Sequence, residues 1–180
     1  MKYKALVCIV VLLALSCCNN YTVKQQEEEN HTYQAAGYTR VEIETENGNI
    51  TSTAAQGDSI DITLTKWATG YSEADAQAHI KDISVVITDN STSGRLRVFV
   101  DIPEDVSRAY GCDITLSLPP GLSVDLVSSN GDIEAQGHEA GFLLFTSNGG
   151  LSIKDTKGSA DLTTSNGGIT VRDHAGDIDA

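Results

Sequence analysis

The sequence predicts an all-β protein: a strand-rich N-terminal part with one short helix, running into an 18-residue-period β-solenoid or β-roll. Three observations carry that reading. Segments 124–141, 142–159 and 160–177 align without gaps, and residues 178–180 open a fourth unit. Within each unit, apolar residues stand two apart on either side of a polar turn, the period of strands with one buried face. Gly is abundant at 16 and Pro scarce at 3, a composition of turns rather than linkers.

From the N-terminus, residues 1–16 (MKYKALVCIVVLLALS) combine two lysines, an apolar stretch from Ala5 to Leu15 and a small residue before Cys17 and Cys18. A charged start, roughly 7–15 apolar residues and a small cleavage site describe a secretory signal peptide, too short to span a bilayer. The ending LALSCC is similar to a bacterial lipobox, in which the cysteine is lipidated and becomes the new N-terminus. Ser16 before Cys17 suits cleavage there, with Cys18 as the alternative register. The expected location is the bacterial cell envelope, lipid-anchored to the outer membrane on its periplasmic side or at the cell surface.

Lys+Arg is 12 and Asp+Glu 25, a formal charge of −13, and loss of Lys2 and Lys4 takes it to −15. That balance argues against nucleic acid as a partner, since binding a phosphate backbone needs a basic footprint. Of the four cysteines, Cys8 leaves with the signal and one of the pair takes the lipid. Cys112 then reads as a small buried hydrophobe, with no disulfide framework. Residues 17–37 are expected to be the lipidated cysteine and a disordered tether, polar and without period, carrying the acidic run Glu27–Glu29. An acidic run so soon after a lipidated cysteine also resembles the surface-export signals of some Gram-negative lipoproteins.

The folded domain is expected to span 38–180. Val41, Ile43, Asn47, Gly48 and Ile50 repeat the offsets of Val124, Leu126, Asn130, Gly131 and Ile133. Residues 59–67 alternate as a strand. Residues 72–83 open with a Ser72 N-cap and helix formers, predicting a short helix with Ala76 and Ile80 inward. Strands follow over 84–88, 95–103 and 113–119, with Asp89-Asn90 and Ser93-Gly94 supplying a turn.

In the repeats, Val124, Phe142, Ala160 and Ile178 form one apolar column, and Leu126, Leu144 and Leu162 the next. Beyond the turn come Ile133, Leu151 and Ile169, then Ala135, Ile153 and Val171. Gly131, Gly149 and Gly167 are expected to take positive φ, which Asn130, Asn148 and Asn166 also tolerate. If coils stack, those asparagines form an amide ladder, as can Ser129, Ser147 and Ser165. Ala140, Gly158 and Gly176 leave room at the second corner. Asn-Gly between alternating strands also fits a plain hairpin, but a strict period over three units favours stacked coils.

The order of these pieces carries a resemblance. VEIETENGNI, a helix leading to ISVVIT, then RLRVFVDIP, DITLSLPPGLSVDLVSSNGDIEAQ and further SNG turns resemble the bacterial "putative adhesin" β-repeat family of unknown function. Adhesin-head domains of Bacteroidetes-type lipoproteins are similar too, and the match covers about residues 38–180. The resemblance implies a non-enzymatic envelope lipoprotein with a binding or adhesion role at the cell surface. The alternative is an envelope structural or stress-sensing component acting through a membrane protein partner. The family brings no catalytic residues and no cofactor. The chain departs from it in ending at Ala180 within the fourth unit without a polar cap, which solenoids normally need.

The residues give little chemistry of their own. His31, His79, His138 and His174 fall in tether, helix and turns, and no Gly-x-Ser-x-Gly elbow is present. The serines follow the repeat, so turn structure accounts for them and no enzyme is expected. A calcium roll needs an aspartate column, but Asp132 aligns with Gly150 and Gly168, and Asp155 and Asp173 align with Gly137. Two carboxylates are a poor cage for an ion taking 6–8 oxygens, so no metal is expected. The candidate binding face is Thr146 and Ser147 beside Thr163, Thr164 and Ser165, a polar patch suited to a glycan or a surface protein. Membrane attachment is expected only through the N-terminal lipid.

Overall fold

The computed structural model describes residues 22–103 and 108–180; the expected signal peptide and both candidate lipidation sites, Cys17 and Cys18, lie outside them. The described chain is mostly β, with one short helix and two seven-stranded sheets. The strands are β1 (Val23–Gln34), β2 (Arg40–Asn47), β3 (Ile50–Ala54), β4 (Ser59–Gly70), β5 (Ser84–Asn90), β6 (Arg95–Asp101) and β7 (Tyr110–Leu118). They continue with β8 (Ser123–Asn130), β9 (Ile133–Gln136), β10 (Phe142–Asn148), β11 (Leu151–Lys157), β12 (Ala160–Thr164), β13 (Ile169–Ala175) and β14 (Ile178–Asp179). Helix α1 (Glu73–Ile80) joins β4 to β5. The sheet orders are β1-β4-β7-β3-β9-β11-β13 and β14-β12-β10-β8-β2-β6-β5.

The apolar columns read from the sequence are the core between these sheets. β8, β10, β12 and β14 pair in parallel, with Phe142 opposite both Val124 and Ala160, and Ala160 opposite Ile178. β9, β11 and β13 do the same in the other sheet, with Leu151 opposite Ile133 and Ile169. Parallel pairing at this offset is not the product of a two-residue hairpin, which joins antiparallel strands. Leu126, Leu144, Ile133 and Ile153 are fully buried. Each such side chain contributes about 1.5–3 kcal/mol relative to exposure. In the last coil the same columns open, leaving Ile169 37%, Val171 39% and Ile178 42% exposed.

The upstream copy of the pattern pairs with the first unit in both sheets. β2 lies parallel to β8, with Val41 opposite Val124 and Asn47 opposite Asn130, and β3 lies parallel to β9, with Ile50 opposite Ile133. These partners are 83 residues apart. Between them the chain extends both sheets in the other direction: β7 pairs β3 and β6 pairs β2 in parallel, then β4, β1 and β5 add antiparallel strands. Helix α1 packs on β4 and β1. Its N-cap is Ser72, whose hydroxyl accepts from the Asp75 N–H at 3.2 Å, and Ala76 and Ile80 are buried as the pattern predicts. Ser93 N–H donates to Asn90 Oδ1 and Gly94 has φ +73°, so the turn between β5 and β6 also falls where expected. Cys112 is a buried free thiol, and burial pushes it up to about 12.

Two expectations need correction. Much of the expected disordered tether is β1, paired with β4 along its whole length from Val23 opposite Gly70 to Gln34 opposite Ser59. Its acids are partnered rather than merely solvated: Glu29 meets Lys66 at 3.0 Å, Glu28 accepts from Asn30, and Glu27 accepts from Gln77 of α1. Burial pushes the Glu29 carboxyl up, but Lys66 and His31 together outweigh it and hold the group below its ordinary value. Gln25 is buried on the same strand.

The second correction concerns the corner glycines. Gly131, Gly149 and Gly167 do not have positive φ. They are required because each lies on the backbone of the previous coil: a Cβ would strike the carbonyl oxygen of Gly48, Gly131 and Gly149 respectively. The left-handed residues sit at the second corner instead, where Gly137 (φ +79°), Asp155 (φ +54°) and Asp173 (φ +51°) form one column. That column explains why two aspartates align with a glycine, since Asp tolerates this conformation better than most residues.

Candidate functional site

The Asn-Gly corner carries a continuous run of side-chain hydrogen bonds. Asn166 Nδ2 donates to Asn148 Oδ1 at 3.0 Å, Asn148 to Asn130 at 2.9 Å, and Asn130 to Asn47 at 2.7 Å. The expected amide ladder is therefore present and extends one rung further, to Asn47. Every rung donates in the same direction, toward the N-terminal coil. A second staircase runs beside it: Asp132 N–H donates to Asn49 Oδ1 and Gly150 N–H to Asp132 Oδ1, at 2.9 and 2.7 Å. Asn49 N–H donates in turn to Asp113 Oδ1 at 2.9 Å. Charge-assisted bonds of this kind are stronger than neutral ones.

The residues expected to form a binding face divide between the interior and the surface. Thr146 is fully buried, and its hydroxyl donates to the Gly131 carbonyl at 2.9 Å. Thr164 is half-buried and donates to the Gly149 carbonyl at 2.8 Å, and Ser128 to the Gly48 carbonyl at 3.0 Å. These hydroxyls are corner braces, so Thr146 cannot line an exposed patch. Thr163 and Ser165 are exposed and Ser147 half-buried. Strand alternation places Val127 and Phe145 beside Thr163 on the outer face, so that face is not uniformly polar. The more polar outer face belongs to the other sheet, where Glu134, Ser152 and Thr170 lie opposite one another, as do Gln136, Lys154 and Arg172.

His138, read from the sequence as a turn residue, is fully buried. Its Nε2 lies 3.0 Å from Ser52 Oγ, its Nδ1 has no hydrogen-bond partner, and burial pushes its pKa down. It belongs to a column with Thr156 and His174 at the repeat spacing, and Thr156 Oγ1 lies 2.9 Å from His174 Nδ1. That spacing was the available signal. Among the described residues, no three His, Cys, Asp or Glu side chains are grouped to hold a metal ion.

At the N-terminal end of the ladder lies a cavity of about 740 Å³. This is within the roughly 300–1,000 Å³ range of small-molecule sites. Its wall carries Asn47 and Asn49 from the corner, Glu46 and Asp113, and Trp67 from β4. Ile102 and Pro103 supply an apolar side. Trp67 lies against Gly111, where a Cβ would strike the indole ring, and the exposed Lys24 holds its ammonium 4.1 Å from the ring centroid. An exposed cation–π contact is worth about 0.5–1 kcal/mol, little enough for a competing group to displace. Two donors at this wall are unspent. Trp67 Nε1 is buried without a hydrogen-bond partner. Asn47 accepts the last rung through Oδ1, and its Nδ2 meets no acceptor among the described residues. None of the cavity residues was singled out by sequence for a role in binding; the single Trp of the chain was the available signal.

No protein-family profile matches the chain, and no curated protein does. Solved structures are similar at low identity. A "putative cell adhesion protein" from Clostridium sporogenes is 8% identical with a TM-score of 0.46, covering 86% of this chain and 97% of its own. A "putative adhesin" from Parabacteroides distasonis is 13% identical with a TM-score of 0.39, covering 84% of this chain and 68% of its own. A "putative lipid binding protein" from the same species is 9% identical with a TM-score of 0.32, covering 85% of this chain and 73% of its own. At these TM-scores the likenesses carry no argument about fold or function.

Proposed function

We propose that this chain is a lipid-anchored envelope protein that binds or adheres at the cell surface without catalysing a reaction. In this reading the 18-residue units form a β-solenoid, and the coils are a rigid scaffold that holds polar corners in fixed register. One observation carries it: four asparagines in an unbroken ladder bring the same polar corner to the surface at every coil, one strand spacing apart, about 4.8 Å. A row of that kind matches a partner that also repeats, such as a glycan or a filamentous surface protein. The resemblance of residues 38–180 to the "putative adhesin" family supports the same reading.

Two measurements test it. Cys17→Ser with Cys18 intact should abolish palmitate labelling, and retained labelling would move the anchor to Cys18. Cells carrying the full chain should expose it to external antibody and adhere to glycan- or matrix-coated surfaces more than cells lacking it. A protein sealed inside the envelope, with no change in adhesion, would sink the binding role and favour a stress-sensing or structural component.

A further inference from the structure

We propose that the cavity at the head of the asparagine ladder is a binding site for a neutral hexose-containing glycan; the proposal rests on the surface-binding reading above and gives it a ligand class. The argument starts from charge. Around Trp67 the wall carries two carboxylates, Glu46 and Asp113, and two cations, Lys24 and Arg108, the latter held by Asp75 at 2.7 Å. Its formal charges therefore cancel and favour no ionic ligand, while the chain as a whole, at −13, repels a sulfated or carboxylated one. A cationic ligand meets the Lys24 ammonium already seated over the indole. What remains is an uncharged ligand with many hydroxyls and at least one apolar face.

The wall offers what such a ligand needs. Trp67 provides a flat apolar ring, and the Lys24 side chain covering it is exposed and free to swing aside. Trp67 Nε1 and Asn47 Nδ2 are donors lacking acceptors, while Glu46 and Asp113 accept hydroxyl protons. A hexose hydroxyl both donates and accepts, so one sugar can satisfy both kinds of group. The ladder adds direction: each rung polarises the next, and the sum is a donor presented at the cavity by Asn47. Trp67 Nε1 is buried and unpaired, which is costly and favours a ligand that pairs it over a purely apolar one.

Trp67 is the only tryptophan, so the site reports on itself. Full-length protein in detergent is titrated with short neutral oligosaccharides of glucose, mannose and galactose, and with a sulfated heparin-derived oligosaccharide. At least one neutral sugar should give a saturable change in Trp67 emission, and the sulfated one none. By calorimetry, Trp67→Phe should weaken binding about ten-fold or more, as loss of a central aromatic anchor does. Glu46→Gln, at an exposed residue, should weaken it several-fold without moving the melting curve, and Lys24→Ala should bind as tightly or tighter. No response to any neutral sugar, preference for the sulfated one, or full binding by both Trp67→Phe and Glu46→Gln would overturn the proposal. Cells that adhere equally well with Trp67→Phe would remove the cavity and leave adhesion standing. Wild-type cells that fail to adhere would remove adhesion, whatever the sugars do.

Discussion

From β8 onward every strand lies beside a near copy of itself, whereas in the front part β1, β4, β5, β6 and β7 each pair with a strand of different sequence. The two regions are consequently held by different means. In the repeats the contacts recur column by column: Leu on Leu, Asn on Asn, glycine on carbonyl. In the front part each contact is individual, such as Lys66 with Glu29, Thr32 with Asp61, or Tyr38 with Asp89. Repetition makes a position intolerant, because a change there is felt by the coil on each side. Individual pairing makes a strand tolerant, because its neighbours do not depend on the same group.

Substitutions sharpen that contrast in order of expected size. Leu144→Asp, which buries an unpaired charge between coils, should cost several kcal/mol and unfold the repeats; an unchanged thermal melt would break the inward column. Gly149→Ala should cost about 3 kcal/mol by overpacking against the Gly131 carbonyl. A glycine just past the corner of the next unit makes the control: at Gly168 a Cβ meets nothing within 4 Å, and Gly168→Ala should stay within about 0.5 kcal/mol by urea titration. Asn148→Ala removes two rungs at an exposed corner and should cost about 1 kcal/mol. In the front part, Lys66→Ala should cost at most about 1 kcal/mol, the usual worth of a partly exposed ion pair.

The last substitution has a pH signature. Glu29 is held below its ordinary pKa in the folded state, so its contribution is present above the unfolded value and lost as pH falls through the lowered folded one. Lys66→Ala should therefore flatten that part of the acid limb in a pH-dependent melt. His138 acts on the same side but higher. Burial holds it neutral, so protonation of the unfolded chain begins to erode stability as pH drops through the ordinary histidine range, about 6.5. If His138→Asn left the slope near pH 6.5 unchanged, about the ordinary histidine value, that sign would be wrong.

The same contrast separates what could be read from the sequence from what could not. The apolar columns were legible because each appears three times, and the ladder because Asn-Gly recurs at the same offset. β1 was not legible: VKQQEEENHTYQ has no apolar period, since it is an edge strand whose Glu29 and Glu27 are stabilised by Lys66 and Gln77 from positions the sequence does not place nearby. Thr146 was misplaced because a column of hydroxyls looks alike whether it faces solvent or braces a carbonyl. The corner glycines were located correctly and given the wrong cause, positive φ rather than contact with the next coil. The cavity was invisible because its wall joins β2, β4 and β7, whose proximity only the long excursion creates.

That excursion also says where this architecture accepts additions. The links between repeat units are short, 137–141, 158–159 and 176–177; between β3 and β8 the link is residues 55–122, yet β3 and β9 remain paired in register. Both ends of the long link stay close, with Ala55 N–H bonded to the Leu118 carbonyl at 2.9 Å. The second corner is thus a port at which a guest segment can enter and leave without disturbing the host. The Asn-Gly corner, sealed backbone to backbone, is closed to such traffic. Length can change in this chain by whole units or by guests at that port, and a single residue inserted within a repeat strand would carry that unit's corner glycine off its carbonyl.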